Sequence, residues 1–340
     1  MKIGILSPVA WRTPPLKYGP WEQVTSNIAE GLVKRGVDVT LFATGNSRTN
    51  AKLQYVSQTA YAEDQSLDPK VWECLHISNI MEQASGFDII HNNFDFLPLT
   101  YSRLIKTPVV TTIHGFSSEK IIPVYKKYNS NTFYVSISDS DRSPELDYIA
   151  TVYNGINTGD FTYNPEPEDY LLFFGRIHPE KGTLESIQIA KKTGKKLIIS
   201  GLIQDETYFE QKIKPFVNNK DIVYVGNSGP EERDKLLGRA TALLHPISFD
   251  EPFGLSVAEA MLCGTPVVAF NRGSMPELIK HGETGFLVNT VEEAAGSLNK
   301  INSISREHCR EWALKEFSLE KMVNGYIDVY KQIIQLKNKQ

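Results

Sequence analysis

Two glutamates, Glu251 and Glu259, lie in the segment SFDEPFGLSVAEAMLCGTPVVAF (residues 248–270), with seven residues between them. Pro252 makes the stretch around Glu251 a poor helix interior, whereas the residues from Gly254 onward favour a helix. We therefore expect Glu251 in a loop and Glu259 one to two turns into the following helix. Two carboxylates on different elements could hold different parts of one ligand.

Glu259 falls within the apolar stripe of that predicted helix, between Leu255 and Leu262. A carboxylate in such a position is costly unless something donates hydrogen bonds to it. One interpretation is a structural ion pair, for example with Arg272, or a helix tilted so that the acid reaches water. The other is that Glu259 accepts hydrogen bonds from ligand hydroxyls such as those of a ribose. The amides of residues 253–255 would then stand at a positive helix end that suits an anion.

Two cations follow the end of another predicted strand. Arg176 directly follows the apolar run YLLFFG, and Lys181 comes five residues later, where the next helix is predicted to begin. Cations at a helix amino terminus oppose the helix dipole. Either side chain alone is more simply a solvated charge, but the pair predicts an anion site, because a bound phosphate would remove this penalty.

Histidines also end predicted strands in the amino-terminal half. His114 follows PVVTTI, and His91 and Asn92 end the run DIIHNN. A single histidine is more often a packing residue than a catalyst. His114 is a candidate because it ends a strand on the side where ligands bind.

A short segment before the first predicted helix contains Tyr18, Gly19, Pro20 and Trp21. A glycine at such a place lets a ligand approach the backbone closely, but Pro20 supplies no N–H. Read alone, this segment is weak support for a phosphate loop.

The elements that must position these residues alternate along the whole chain. Short apolar or β-branched runs predict strands at residues 2–9, 37–44, 88–93, 108–114, 133–138 and 150–155, then at 170–175, 196–201, 221–226, 241–246, 266–270 and 285–288. Helical patterns fill the gaps, for example at residues 21–36, and residues 305–335 look helical throughout. Strands separated by helices indicate parallel, doubly wound α/β sheets, in which ligands bind beyond the carboxyl ends of the strands.

A polar stretch with two prolines, residues 157–170, interrupts this alternation and is interpreted as a linker between two domains. Two α/β halves around one linker predict a central cleft between them. The chain length of 340 residues also favours two domains.

Composition excludes several classes of function. A net charge of −4 gives no general attraction to nucleic acid. The three cysteines, Cys74, Cys263 and Cys309, lack metal-ligand spacing, which favours reduced thiols and no zinc.

The amino terminus does not read as a signal peptide and no apolar run reaches the ~18 residues that span a bilayer. We therefore expect a soluble cytoplasmic protein without stable membrane insertion, although peripheral membrane contact stays open.

Five motifs in order resemble one family over nearly the whole chain. They are YGPWEQVTSNIAEGLVKRG, VYNGIN, FFGRIHPEKG, EPFGLSVAEAMLCGTPVVA and GSMPELIKHGETGFLV. The chain resembles the retaining nucleotide-sugar glycosyltransferases of the GT-B fold, glycosyltransferase family 4. The resemblance implies two Rossmann-like domains, an acceptor domain at residues 1–160 and a nucleotide-sugar donor domain at residues 161–318. A carboxyl-terminal helix, residues 319–340, is expected to pack back on the first domain.

The resemblance implies roles for the residues near the donor. Arg176 and Lys181 match the cations that hold the donor diphosphate, and Glu259 matches the glutamate that binds the nucleotide ribose. Glu251 matches the first glutamate of the E-x7-E element, near the donor sugar. The backbone that cradles sugar and phosphate matches Phe253, Gly254 and Leu255.

The resemblance also covers the amino-terminal half. His114 matches a histidine that reaches the donor sugar, and Gly19 matches the first of two loop glycines, the second being replaced here by Pro20. Four residues are expected to face the acceptor: Tyr18, Trp21, His91 and Asn92. Asn93 lies beside them.

The function implied is transfer of a hexose from a UDP- or GDP-sugar to the hydroxyl of a carbohydrate or other acceptor, with retention at the anomeric carbon. The alternatives are a phosphorylase or sugar-nucleotide epimerase built on the same architecture, or a non-catalytic sugar-nucleotide-binding protein. The donor is a substrate, so no cofactor is implied.

The expected cation pair replaces the divalent metal that other transferases use, and the sequence has no Asp-x-Asp cluster to hold one. We predict that glycosyl transfer survives EDTA, measured as nucleotide release before and after chelation. Loss of turnover that a divalent metal restores would contradict this prediction.

Overall fold

The computed structural model describes residues 1–116 and 118–339. They divide into two compact units, unit 1 comprising Met1–Gly155 with the carboxyl-terminal stretch that begins at Leu319, and unit 2 comprising Ile156–Ser318. Each unit contains a parallel sheet with helices between its strands. This architecture confirms the predicted α/β class with two Rossmann-like domains.

Unit 1 is built on a parallel sheet whose strand order is β3-β2-β1-β4-β5-β6-β7 among the described residues. The strands are β1 (Lys2–Leu6), β2 (Asp38–Phe42), β3 (Lys52–Gln54), β4 (Ile89–Asn92), β5 (Val109–Ile113), β6 (Phe133–Ser136) and β7 (Tyr148–Thr151). Its helices are α1 (Pro20–Lys34), α2 (Pro69–Glu82), α3 (Ile122–Tyr128) and the carboxyl-terminal α11 (Leu319–Lys337). The sequence did not predict β3, because it has only three residues, KLQ, of which the two polar ones are exposed at the sheet edge.

Unit 2 contains a second parallel sheet, with strand order β10-β9-β8-β11-β12-β13. The strands are β8 (Leu171–Phe174), β9 (Leu197–Ser200), β10 (Ile222–Tyr224), β11 (Ala242–His245), β12 (Val267–Phe270) and β13 (Gly285–Val288). The helices are α4 (Thr183–Thr193), α5 (Glu206–Tyr208), α6 (Pro230–Arg239), α7 (Leu255–Leu262), α8 (Met275–Leu278), α9 (Val291–Ser297) and α10 (Arg306–Phe317). All six strands lie within the ranges that the apolar runs predicted.

The polar stretch that follows Gly155 packs onto unit 2. The guanidinium of Arg306, in α10, donates to the backbone oxygen of Asn164 at 2.7 Å and to those of Gly238 and Ala240 at 2.6 and 3.0 Å. One partly buried cation thus joins this stretch and the carboxyl-terminal end of α6 to α10, and this fixes the position of α6.

The carboxyl-terminal segment is not one continuous helix, contrary to the sequence prediction. Ser318 has extended backbone angles and separates α10 from α11, so the segment contributes one helix to each unit. The break has no proline or glycine signal in the sequence, and the change of packing partner explains it. Across residues 1–116 and 118–339, no helix combines the length and the apolar character needed to cross a bilayer.

Helix α11 packs against α1 within unit 1, and Gly31 lies at their contact. A Cβ atom added to Gly31 would lie 2.3 Å from Cγ2 of Val323, a stiff and fully packed side chain. We predict that Gly31→Ala lowers the unfolding midpoint. Overpacking of ~1–3 kcal/mol outweighs the gain of up to ~1 kcal/mol from helix propensity.

The control is Gly296→Ala, a helical glycine whose added Cβ meets nothing within 4 Å. It should leave stability unchanged or raise it. Val323→Ala should restore room, so that Gly31→Ala costs less in the double variant. Equal midpoints for Gly31→Ala and the parent protein in thermal denaturation would contradict the clash.

Candidate active site

Three loops of unit 2 meet where β8, β11 and β12 end. The N–H of Ser248 donates to the backbone oxygen of Glu180 at 2.9 Å, and the N–H of Ser274 donates to that of Glu251 at 2.9 Å. The hydroxyl of Ser274 donates to the backbone oxygen of Phe253 at 2.7 Å. Hydrogen bonds between loops thus fix the backbone around Glu251, as the carboxyl ends of parallel strands allow.

Two glycines let these loops approach closely. Gly182 has φ +76°, and a Cβ atom there would lie 2.0 Å from the backbone oxygen of Pro246. Gly273 has φ +53°, and its Cβ would lie 2.4 Å from the backbone nitrogen of Glu251. Neither position can accept a side chain without moving the loop that carries Glu251 or its neighbours.

Glu251 and Lys181 form a buried ion pair at this point. Nζ of Lys181 lies 2.5 Å from Oε2 of Glu251, and their side chains are only 15% and 13% exposed. Burial by itself raises the pKa of the Glu251 carboxyl, but the neighbouring His245 and the Lys181 ammonium outweigh it and lower the pKa to about 2. Glu251 is therefore an anion at any ordinary pH, and Lys181 supplies the nearest positive charge.

His245 is part of the same cluster, although the sequence reasoning passed over it. It is the last residue of β11, is buried, and places Nε2 3.7 Å from Oε2 of Glu251. This nitrogen has no hydrogen-bond partner among the described residues. The rule that selected His114, a polar residue at a strand end, applies equally to His245 in TALLHP.

Arg176 occupies the same loop as Lys181 but has a different partner. Its guanidinium donates to the side-chain oxygen of Gln204, in the loop after β9. Lys181 lies with Nζ 4.4 Å from the ring centroid of Phe249. The structure therefore places both cations in the connection after β8, at the carboxyl edge of the sheet.

Glu259 lies in α7, buried, and forms an ion pair. Nη1 of Arg233, in α6, donates to its Oε1 at 3.2 Å. Burial raises the pKa of Glu259 above its usual value, and Asp160 adds to this, while Arg233 opposes it. The sequence suggested Arg272 as a partner, which is wrong, because Arg272 donates to the backbone oxygen of Ser248. Arg233 was missed because its helix, PEERDKLLGR, reads as an ordinary solvated surface.

Helix α7 begins where the sequence placed it. Gly254 is its N-cap, with φ 90°, and Leu255 is its first residue. The first amides of a helix have no acceptor within the helix, so this end presents donors and a positive dipole. Phe253, just before it, is buried against Phe317, with ring centroids 5.8 Å apart.

In unit 1, His114 is held beside the first turn of α1. Its Nε2 lies 2.9 Å from Oδ1 of Asn93, and its ring is 5.8 Å from that of Trp21. Burial lowers the pKa of His114 to about 3, so the imidazole is neutral. Gly19 is the N-cap of α1 with φ 147°, and Tyr18 packs edge-on against Trp11.

His91 and Asn92 do not face a ligand, which corrects the sequence expectation. His91 is fully buried, with Nδ1 2.7 Å from the hydroxyl of Tyr330 and Nε2 2.8 Å from that of Thr112. Its pKa falls to about 3 because of burial. Asn92 is also fully buried and donates to the backbone oxygen of Asp95. Asn92 is the last residue of β4 and His91 precedes it, so their place at a strand end agrees with the sequence, but both side chains are enclosed, and His91 helps to hold α11 on the sheet.

Solved structures of known proteins have the same fold as this chain. The solved structure of sucrose-phosphate synthase from Thermosynechococcus elongatus superposes with a TM-score of 0.80 at 17% identity, covering 99% of this chain and 100% of that one. The Anabaena protein HepE in complex with UDP-glucose gives 0.74 at 19% identity, covering 98% and 100%. These similarities show the GT-B fold.

The family follows from the sequence matches. The family model described as glycosyl transferases group 1 matches residues 160–316, and that of glycosyltransferase family 4 matches residues 21–143. An uncharacterized glycosyltransferase of Methanocaldococcus jannaschii is 24% identical, with 98% of this chain and 94% of the relative covered. The chain belongs to the family 4 glycosyltransferases of the GT-B fold and is a transferase that acts in glycosyl transfer.

Glu22, in the first turn of α1, is a buried acid that the sequence reasoning did not select. Its Oε1 accepts from the N–H of Trp11 at 3.1 Å, and burial raises its pKa to about 7. The loop before α1 therefore has a titratable group in contact with it. A charged residue in a first helical turn usually reads as a surface feature.

We predict that Glu22→Gln changes the pH dependence of stability. Between pH ~4.5 and ~7 the folded protein binds more protons at Glu22 than the unfolded chain, so the parent protein loses stability as pH rises through this window. Glutamine does not titrate. Over this pH window the free energy of unfolding of the variant should therefore rise by up to ~3 kcal/mol relative to that of the parent. Urea denaturation of both proteins at pH 5, 6, 7 and 8 measures this, and a pH-independent difference would contradict it.

Proposed function

We propose that this glycosyltransferase moves a hexose from a nucleotide diphosphate sugar to an acceptor hydroxyl with retention at the anomeric carbon. The observation that carries the proposal is the buried cluster of Glu251, Lys181 and His245 at the carboxyl ends of β8 and β11. Buried ion pairs contribute little net stability. A charged cluster at the ligand-binding edge of a sheet is better explained by binding and catalysis.

Lys181 is the residue proposed to bind the leaving diphosphate. As the glycosidic bond breaks, negative charge grows on the phosphate oxygens, and a fixed ammonium stabilises that charge more in the transition state than in the ground state. Arg176 and the first amides of α7 are proposed to share the task. The chemistry then proceeds without a divalent metal, as the sequence predicts.

Glu251 is proposed to position the donor sugar and to stabilise the positive charge that develops at the anomeric carbon. Its low pKa keeps it ionised for this role. A bound diphosphate would compete with the Glu251 carboxylate for the Lys181 ammonium. His245 would then be the group that remains next to Glu251. Glu259 is proposed to accept hydrogen bonds from the nucleotide ribose.

Support for a nucleotide-sugar donor also comes from a relative. HepE, which shares the fold, was solved in complex with UDP-glucose. We infer that this chain uses a donor of the same chemical class, with a uridine or guanosine base. His114, Gly19, Tyr18 and Trp21 of unit 1 stay predictions for binding of sugar and acceptor, as does a cytoplasmic location.

The test is a panel of UDP-, GDP- and ADP-sugars scored by thermal shift and nucleotide release. We expect the sugars of one of these nucleotides to give both a thermal shift and nucleotide release. With that donor, Glu251→Gln and Lys181→Met should lower kcat about 100-fold or more, the scale for removing one charge-stabilising group. Glu259→Gln should raise the donor KM about 10- to 100-fold with a smaller effect on kcat, because it loses hydrogen bonds to a charged acceptor.

Matched controls come from an exposed ion pair of the same unit, Lys192 with Glu292, 3.0 Å apart. Lys192→Met and Glu292→Gln should leave the kinetics unchanged. Unchanged kinetics in the three site variants would end the proposal. Release of nucleotide that requires inorganic phosphate, or conversion of the donor sugar without an acceptor, would indicate phosphorolysis or epimerisation instead.

A further inference from the structure

Arg233, in α6, forms an ion pair with Glu259, a side chain proposed to bind the donor. We propose that Arg233 is a positioning residue that holds Glu259 in the orientation needed to accept both ribose hydroxyls, and so sets the preference for ribonucleotide over deoxyribonucleotide donors. This inference rests on the proposed function, in which Glu259 binds the ribose.

The contact geometry restricts the Arg233 side chain on two sides. Its Nη1 donates to Oε1 of Glu259 at 3.2 Å, and its guanidinium carbon lies 5.0 Å from the ring centroid of Phe161. Phe161 is itself buried, and the Arg233 side chain is only 20% exposed. A planar cation held against an aromatic ring fixes the direction of its N–H groups. The hydrogen bond from Arg233 to Oε1 therefore fixes the orientation of the Glu259 carboxylate.

The helix that carries Arg233 is anchored along its length. The N–H of Thr162 donates to Asp234 at 2.8 Å, and the hydroxyl of Tyr170 donates to the backbone oxygen of Leu236 at 2.8 Å. Arg306 secures the carboxyl-terminal end of the same helix. Arg233 is thus presented from a rigid element, which a residue needs if it is to orient another side chain.

Stability alone gives a poor explanation for this arginine. Its Nε is buried and has no hydrogen-bond partner among the described residues. Leaving a buried donor unpaired costs free energy, and a buried ion pair is often no better than an apolar pair of similar size. The pair of Arg233 and Glu259 therefore occupies a place where two apolar residues of similar size could pack about as well.

Charge gives Arg233 a second effect on Glu259. Burial and the nearby Asp160 both favour the protonated form of Glu259, and Arg233 is the group that opposes them. A protonated carboxyl has one acceptor oxygen fewer for the ribose diol. Without Arg233, Glu259 would be both less well oriented and protonated at a higher pH.

The experiment uses whichever of UDP, GDP and ADP the parent protein binds most tightly, together with its 2′,3′-dideoxy counterpart. Isothermal titration calorimetry at pH 7.5 measures both affinities for the parent protein and for Arg233→Met. The parent should bind the ribonucleotide at least 10-fold more tightly than the dideoxy form. Arg233→Met should weaken ribonucleotide binding about 10-fold and leave dideoxynucleotide binding unchanged, so that the discrimination is lost.

Two further variants sharpen the comparison. Arg233→Lys keeps the charge but not the planar fork, and should restore part of the discrimination; this variant decides the matter if Arg233→Met does not fold. Arg239→Met removes an exposed arginine of the same helix, paired with Glu168 at 3.0 Å, and should change neither affinity. As the pH is lowered, ribonucleotide affinity should also begin to fall at a higher pH in Arg233→Met than in the parent.

The outcomes separate this inference from the proposed function. Equal weakening of both nucleotides by Arg233→Met, or no change in either, would overturn the role of Arg233 while leaving donor binding intact. A parent protein that binds none of the three nucleoside diphosphates would overturn the proposed function and this inference with it.

Discussion

The buried pair of Lys181 and Glu251 is the constraint on which the rest of unit 2 depends. Two opposite charges with so little exposure stabilise each other, because separating them without another partner would leave each one desolvated and unpaired. Their side chains come from loops 70 residues apart in sequence, so those loops must be held together by other means. Backbone hydrogen bonds between the loops and the close approach of Gly182 and Gly273 supply that restraint.

The two glutamates have distinct surroundings, although they are close in sequence. Glu251 faces a lysine and a histidine and has a lowered pKa, whereas Glu259 lies deeper, with one arginine, and has a raised pKa. The difference arises because both Lys181 and His245 offset the burial of Glu251, whereas Arg233 alone opposes the burial of Glu259 and the nearby Asp160. The ionised form of Glu251 is therefore secured by two neighbours, and that of Glu259 depends on one.

Most of the fold and part of the site could be predicted from local signals. Strand runs such as KLIISG and GFLV are apolar because both faces of a parallel sheet are covered, and the strands of unit 2 lie within such runs, whereas β7 begins two residues before the run predicted at residues 150–155. Arg176, Lys181 and Glu251 were selected because polar residues after buried strands must lie at one edge of the sheet. The same rule misled at His91 and Asn92, which lie at the end of β4 but are fully buried and pair with β5, the following loop and α11.

The sequence by itself determined the α/β class, the two halves, the family and the residues at most strand ends, because these follow from periodicity and from short motifs. Only the tertiary structure decided which charges meet. The contacts of Arg233 with Glu259, of His245 with Glu251 and of His91 with Tyr330 join elements distant in the chain. A side chain's partners depend on which elements pack together, and no local pattern in a charged helix such as α6 shows which of its faces is buried.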